Sequence, residues 1–459
     1  MQKSVAVLLA LIVCAAAVLY GAVGAVDGKT TEITVQEHTL WGDPAAAGGL
    51  VLETYQNVDR QLFWHSTCLA GKEPSTVTEF DFTMTPRSTA AEEKVELNLS
   101  VGTGGFGISS SGGLQRDETW ELSDMMEPVW DVADRTEAGE SRTEVVPLNR
   151  YYDTFLVYLE ALGHVAVMND IISNDWAEFL TDYFQIPVPD SVLWEVSVRK
   201  NQLGKITEAS CQEVLDDDEV GTYGYADCVM IGSDVYFLLQ GNLDVSYIQG
   251  GYGIYRIPGE MVREIDGAAL SRPQLQLKVK ELENICQLDP SLVNHVRLET
   301  GPQENTLLLL RQMDGQVRVR ILDVQSGTVR QELLYEEEHL PEVWTCENLL
   351  ILFTDRETIR VYRERDGLYE LWMNDMLYPL TDNSEYYVPL FAFDGSRLAV
   401  AAMKESYRAV SSRVTVYEKK GLSYAGDYSY SSDMLPQEVS LEVYNWVDPL
   451  QIHWEENSQ

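Results

Sequence analysis

The segment LDDDEVGTYGYAD, residues 215–227, carries the acids whose spacing most resembles a metal loop. Asp216, Asp218 and Asp227 stand at the first, third and twelfth positions of a calcium-type loop, with Gly221 at the sharp-turn position. Val220 takes the fifth position, where a ligand oxygen belongs, so a solvated acidic loop competes with calcium binding. Around this loop cluster Tyr223, Tyr225, Tyr247, Tyr252 and Tyr255. Such a group can form a sugar- or peptide-binding face, or fill strand edges and hairpins.

A second chemical pattern is G-x-G-x-x-G at Gly102, Gly104 and Gly107, after the alternating residues Val95, Leu97, Leu99 and Val101. A dinucleotide site needs a helix opening at the third glycine, with the pyrophosphate at its N-terminus. Here Gly107 is followed by ISSSGG, and Phe106 and Ile108 resume the alternation. The expectation is therefore a strand, a glycine turn and a returning strand paired as a hairpin, with no cofactor. The six histidines are isolated, and neither H-E-x-x-H nor G-x-S-x-G occurs. Paired carboxylates of the glycosidase type have no spacing that selects them.

The 459-residue chain has 73 acids against 33 bases, a net charge of -40. That balance excludes nucleic acid as a partner and disfavours anionic membrane surfaces. Residues 4–26 are uncharged and long enough to span a bilayer, with Lys3 before them and Asp27 after. The expected topology leaves residues 1–3 as a cytoplasmic stub and exports residues 27–459. The alternative is a signal peptide cut before Ala25, after Ala22-Val23-Gly24, giving a secreted protein. Small residues at Ala15–Ala17, Gly21 and Gly24 would let a partner helix approach. Cys14 lies within the apolar run, and Val13 before it is too bulky for a lipoprotein box. Beyond it stand Cys68, Cys211, Cys228, Cys286 and Cys346, with no C-x-x-C; Cys211 and Cys228 are the candidate disulfide.

The elements behind these residues read as strands. A nearly continuous apolar strand, a turn and an alternating strand recur at 306–321, 349–362 and 397–417. Weaker copies are DVYFLLQ…YGIYRIPG and DTFLVYLEA…VLWEVSVRKNQLG. The apolar strands centred on Leu308, Ile351 and Val400 lie 43 and 49 residues apart, near the period of a four-stranded propeller blade. One short helix is expected near 174–185, from Ile172, Trp176, Phe179, Leu180 and Phe184, covering a blade edge or channel mouth. The acidic stretch 116–149 reads as a solvated insertion, with Arg135 and Arg142 facing ten acids in 117–144.

The hairpins, and LDVQSGTV at 322–329 above all, resemble blades of extracytoplasmic β-propeller proteins. Asp323, Ser326 and Gly327 are similar to the D-x-x-[ST]-G turn of PQQ-like repeats, although Gln331 stands where that repeat places Trp. Trp130-Asp131 is a lone pair and makes no WD40-like repeat. The resemblance is architectural and implies no activity. The expectation is an all-β chain: a single β-propeller-like domain of six to eight blades behind a transmembrane helix. Its expected role is non-catalytic binding of a ligand, a protein or a glycan outside the cell. The alternatives are a polysaccharide-acting enzyme with paired carboxylates, and an accessory or sensor subunit of a membrane complex.

Overall fold

The computed structural model describes residues 12–18, 20–21, 24, 34–58, 62–71, 75–81, 96–102, 106–114, 126–162, 174–215, 221–265, 268–354, 357–380, 388–404, 411–431 and 450–455. They are mostly antiparallel strands, and the chain divides into two compact units, Met1–Glu92 with Pro341–Gln459, and Glu93–Leu340.

In the first unit, sheet I runs Thr34–Gly42, Gly421–Ser431, Ser411–Glu418, Arg397–Lys404 and Leu390–Phe393 in spatial order. Sheet II runs Leu450–Trp454, Leu50–Val58, Leu62–Leu69 and Ser75–Asp81, and sheet III runs Glu342–Cys346, Leu349–Thr354, Thr358–Arg365 and Leu368–Met376. Each terminal strand thus completes a sheet built by the other end of the chain.

Strand Arg397–Lys404 shows why its sequence is apolar without interruption. Ala399 and Ala401 join one core with Leu50, Leu52 and Cys68 of sheet II, whereas Leu398, Val400 and Ala402 join another with Ile351 and Phe353 of sheet III. Both faces are covered, so period-two alternation has no reason to appear. The following strand, Ser411–Glu418, alternates in sequence yet is also buried on both faces.

Arg397 fastens sheet I to sheet II. Its Nη1 donates to the carbonyls of Ala46 and Gly48 at 2.9 and 3.0 Å, its Nε bonds Asp394 at 2.7 Å, and its guanidinium lies 3.9 Å from the Trp454 ring centroid.

Among the described residues the second unit holds three sheets and a ribbon. Sheet IV runs Phe106–Leu114, Ile206–Glu213, Leu193–Lys200 and Ser141–Pro147. Sheet V runs Glu283–Gln287, Gly253–Ile257, Asp234–Leu238, Gly224–Ile231, Glu96–Val101 and Val157–Leu162, with Gln240–Gly241 added on Gly224–Ile231. Sheet VI is a meander of Val296–Thr300, Thr306–Met313, Gln316–Asp323 and Thr328–Glu336, and Gly259–Ile265 pairs with Ala268–Leu277 as the ribbon.

The three principal repeats are hairpins: Leu310 faces Val319, Ile351 faces Val361, and Val400 faces Thr415. Sheets III and VI are four-stranded meanders in chain order, the construction of a propeller blade. In sheet VI the turn expected from DVQSG is formed. Asp323 Oδ1 accepts from Ser326 N and Oγ at 2.8 and 3.0 Å, and Gly327 takes φ +65°. These bonds and Arg330 hold the Asp323 carboxyl at about 2.

The short helix is Asn174–Phe184 (α2 below), and it does cover an edge. It packs on Val157–Leu162, the last strand of sheet V, and Thr181 Oγ1 accepts from the Val157 N–H at 3.0 Å. Leu180 and Phe184 are fully buried, and Phe184 meets Tyr255 edge-on. Ile172 lies outside the described residues.

Three expectations need correction. The acidic stretch is not a solvated excursion: Glu127–Asp134 is helix α1, burying Val129, Trp130, Val132 and Ala133, and Ser141–Pro147 is an edge strand of sheet IV. Asp131 pairs with Arg135, and Glu144 with Arg135 and Arg142, so both arginines bind the acids of their own stretch. Residues 117–125 lie outside the described residues.

The glycine motif does separate two strands, but they are not a hairpin. Glu96–Val101 pairs in sheet V, whereas Phe106–Leu114 pairs with Ile206–Glu213 in sheet IV. Gly107 sits inside the second strand, and Gly104 lies outside the described residues. Similarly, Val157–Leu162 and Leu193–Lys200, read as one repeat, belong to sheets V and IV, because α2 carries the chain from one to the other.

Residues 12–18 are helical, with Ile12, Val13 and Val18 exposed, while residues 1–11 lie outside the described residues. Among the described residues no helix is long and apolar enough to cross a membrane.

Candidate ligand-binding surfaces

The buried face of sheet IV carries Trp194, Val196, Val198, Ala209 and Cys211. Its other face is set by the strand register. Gly107, Ser210, Ser197 and Thr143 form one row across the four strands, and Ser109, Glu208, Arg199 and Ser141 form the next. These are mostly small side chains, and a Cβ on Gly107 would meet nothing within 4 Å. The result is a groove with a cavity volume of about 520 Å³, within the range of small-ligand sites.

Its floor is made of hydroxyls, which both donate and accept. Thr143 Oγ1 and Ser197 Oγ are 2.7 Å apart, and Arg199 and Glu208 face each other at 3.8 Å along one side. With strands about 4.8 Å apart, the four-strand row runs roughly 15 Å. Nothing in the apolar pattern marks such a surface. Only the register brings Ser109, Ser197 and Ser210 together.

The tyrosines divide between surface and core. Tyr223 and Tyr225 are 42% and 44% exposed and stack with ring centroids 6.4 Å apart, and Tyr247 is 61% exposed. Tyr252 and Tyr255 are core residues, which corrects their assignment to a binding face. The Tyr252 hydroxyl donates to the Leu239 carbonyl at 2.8 Å and that of Tyr255 to Gly251 at 2.7 Å; burial raises both hydroxyls above their ordinary range.

The base of the acidic loop is pinned on both sides. Glu213 accepts from Thr222 N and Oγ1, and Asn242 accepts from Tyr223 N at 2.8 Å while donating to the Gly221 carbonyl at 3.0 Å. Asp216 and Asp218 lie outside the described residues; Asp227 is opposite Asn98 in sheet V. Among the described residues no group of three His, Cys, Asp or Glu is placed to hold a metal ion.

Cys211 and Cys228 are not joined, and every cysteine is a free thiol. Cys211 belongs to sheet IV and Cys228 to sheet V. Burial pushes Cys211 up to about 12 and Cys68 and Cys346 to about 11, so these thiols stay protonated at neutral pH and behave as small apolar side chains. Alkylation of the folded protein with iodoacetamide at pH 8 should spare Cys68 and Cys211, and urea should expose both. Fast labelling of either in the native state would show that its burial is wrong.

No family model matches the chain, and no curated protein matches it. Among solved structures it is similar to the β-propeller domain of Myceliophteria thermophila Cps50 (Swd1), at 10% identity over 51% of this chain and 82% of that one, with a TM-score of 0.21. The Dos1 propeller matches at 10% identity over 53% and 76%, with a TM-score of 0.23. BamB from Moraxella catarrhalis matches at 11% identity over 54% and 81%, with a TM-score of 0.16. Scores this low add nothing to the sheets themselves. Those sheets define an all-β protein of propeller-like construction, assigned to no specific family.

Proposed function

We propose that this is a non-catalytic, extracytoplasmic binding protein, tethered by its N-terminal apolar segment, that holds a neutral polyhydroxylated ligand such as a glycan strand. The observation that carries the reading is the hydroxyl-floored groove of sheet IV. Hydroxyls that donate and accept suit a ligand that does the same, and with Arg199 facing Glu208 and Arg142 paired to Glu144 the groove carries no strong charge of one sign. The wider charge of -40 works against polyanionic polymers. Glu208 is the one carboxylate among the lining residues, whereas glycoside hydrolysis ordinarily needs two. That favours binding over the enzyme alternative.

The tether rests on the uncharged run 4–26, and the finer architecture, one closed propeller of six to eight blades, belongs to the same proposal. The exposed stack of Tyr223 and Tyr225 supports a second position for the same ligand class, since ring faces pack on sugar rings. Calcium at Asp216, Asp218 and Asp227 would be an accessory to that loop.

Electrophoresis of the full chain through gels containing neutral polysaccharides tests the ligand class. Retardation by at least one neutral glycan is expected, and unchanged mobility in every gel would contradict it. Replacing Tyr223 and Tyr225 together by Ala separates the two positions: retained retardation assigns the ligand to the groove, lost retardation to the stack.

A further inference from the structure

We infer that the tip of sheet VI is a binding site for a compact oxyanion of the phosphate or sulfate type, separate from the groove of sheet IV. The site follows from the turn Met313–Gln316. Asp314 and Gly315 take φ +55° and +73°, the left-handed pair of a two-residue hairpin turn, and Met313 faces Gln316. Counting back two pairs from that turn puts Arg311 directly opposite Arg318. Like charges in this position repel. In a chain with 73 acids and 33 bases, such a pair is unexpected without something to hold between the two guanidinium groups.

The acids nearby neutralise it only in part: beyond the bond from Ser291 N, Asp289 feels the charge of Arg311, which helps to lower its carboxyl, but makes no ion pair with it. Glu332 serves two arginines at once, with Oε1 3.5 Å from Arg318 Nε and Oε2 2.8 Å from Arg320 Nε. Among the described residues Arg311 has no carboxylate within 4.0 Å. Its Nη2 meets only the thioether of Met313, at 2.7 Å, and its buried Nε has no hydrogen-bond partner. A thioether is a weak acceptor, so this guanidinium lacks the partner its donors require.

Between these groups lies a small cavity of about 120 Å³, lined by Arg311, Met313, Asp314, Gln316, Arg318 and Leu334. It is too small for a drug-sized ligand and suits a compact ion. Two guanidinium groups offer forked N–H donors that match tetrahedral oxygens, and Gln316 adds an amide donor. Asp314 lines the cavity without pairing to either arginine. It therefore favours an ion small enough to sit on the arginines rather than a polyanion lying across the turn.

The test is calorimetric titration of the full chain, in mild detergent, with inorganic phosphate and separately with sulfate, against chloride at matched ionic strength. One site per chain is expected for phosphate or sulfate and none for chloride. Arg311→Met and Arg318→Gln should each weaken binding roughly tenfold or more. Glu332→Gln should tighten it severalfold, because it releases Arg318 and Arg320. That gain separates anion binding from a merely structural role, and it remains readable if one arginine variant fails to fold. Heats equal to those of chloride would overturn the site. So would equal affinity in the wild type and a folded arginine variant, which would mean an adventitious ion only.

Discussion

Replacing Val319 by Asp is expected to destabilise the protein by about 4 kcal/mol, from the lost burial of an aliphatic side chain plus the desolvation of an unpaired carboxylate. Val319 is fully buried in Gln316–Asp323, and its cross-strand neighbours Leu310 and Leu333 are buried as well. Its face differs from that of Arg318 and Arg320, which alternate with it along the strand. Urea denaturation should show the loss as a lower midpoint at unchanged slope. The matched control is Val329→Asp on the next strand, where the side chain is 47% exposed and the expected change is within about 0.5 kcal/mol. Equal effects at the two positions would show that the face assignment in sheet VI is wrong.

The second large effect is expected at Arg413 in sheet I. Its side chain is only 6% exposed, and it grips Asp427 on the adjacent strand through two bonds of 2.7 and 3.0 Å. A further N–H donates to the Pro379 carbonyl at 3.1 Å. Arg413→Met keeps much of the volume but leaves the carboxylate of Asp427 mostly shielded from water. Breaking such a pair from one side costs about 3–5 kcal/mol. Replacing Asp427 by Leu in the same chain should recover much of that loss, because removing both charges removes the desolvation problem. A double variant as unstable as the single one would mean that Arg413 acts through its other bonds.

What the sequence revealed depended on whether the determining contacts were local. The hairpins at 306–321, 349–362 and 397–417 were readable because an apolar run followed by an alternating one is a local pattern, although alternation did not record the covered faces of Ser411–Glu418, which is buried on both. The helix Asn174–Phe184 was readable from the spacing of Trp176, Leu180 and Phe184. The helix Glu127–Asp134 was missed because the acids around it hid Val129, Val132 and Ala133, a short apolar stripe behind Pro128. The glycine motif misled on pairing, since which sheet a strand joins is decided by residues far along the chain.

The binding surfaces show the same division. Tyr223 and Tyr225 are on the surface as read, but neighbouring tyrosines entered the core because their hydroxyls reach backbone carbonyls. The groove of sheet IV was invisible: its serines come from separate strands, and small polar residues leave no periodic signal. The opposition of Arg311 and Arg318 was legible in principle, because a two-residue Asp314-Gly315 turn fixes every pair behind it.

Whether the groove of sheet IV holds the ligand is read from the affinity of a gel-selected neutral oligosaccharide for the wild type and for Ser197→Trp. Ser197 lies in the middle of the small-residue row, between Ser210 and Thr143, on the face away from the core. An indole there fills the groove without touching the buried face, so the melting temperature should hardly move. Affinity is expected to fall at least roughly tenfold, a loss of about 1.4 kcal/mol or more. Unchanged affinity in a folded Ser197→Trp protein would contradict it and place the ligand elsewhere.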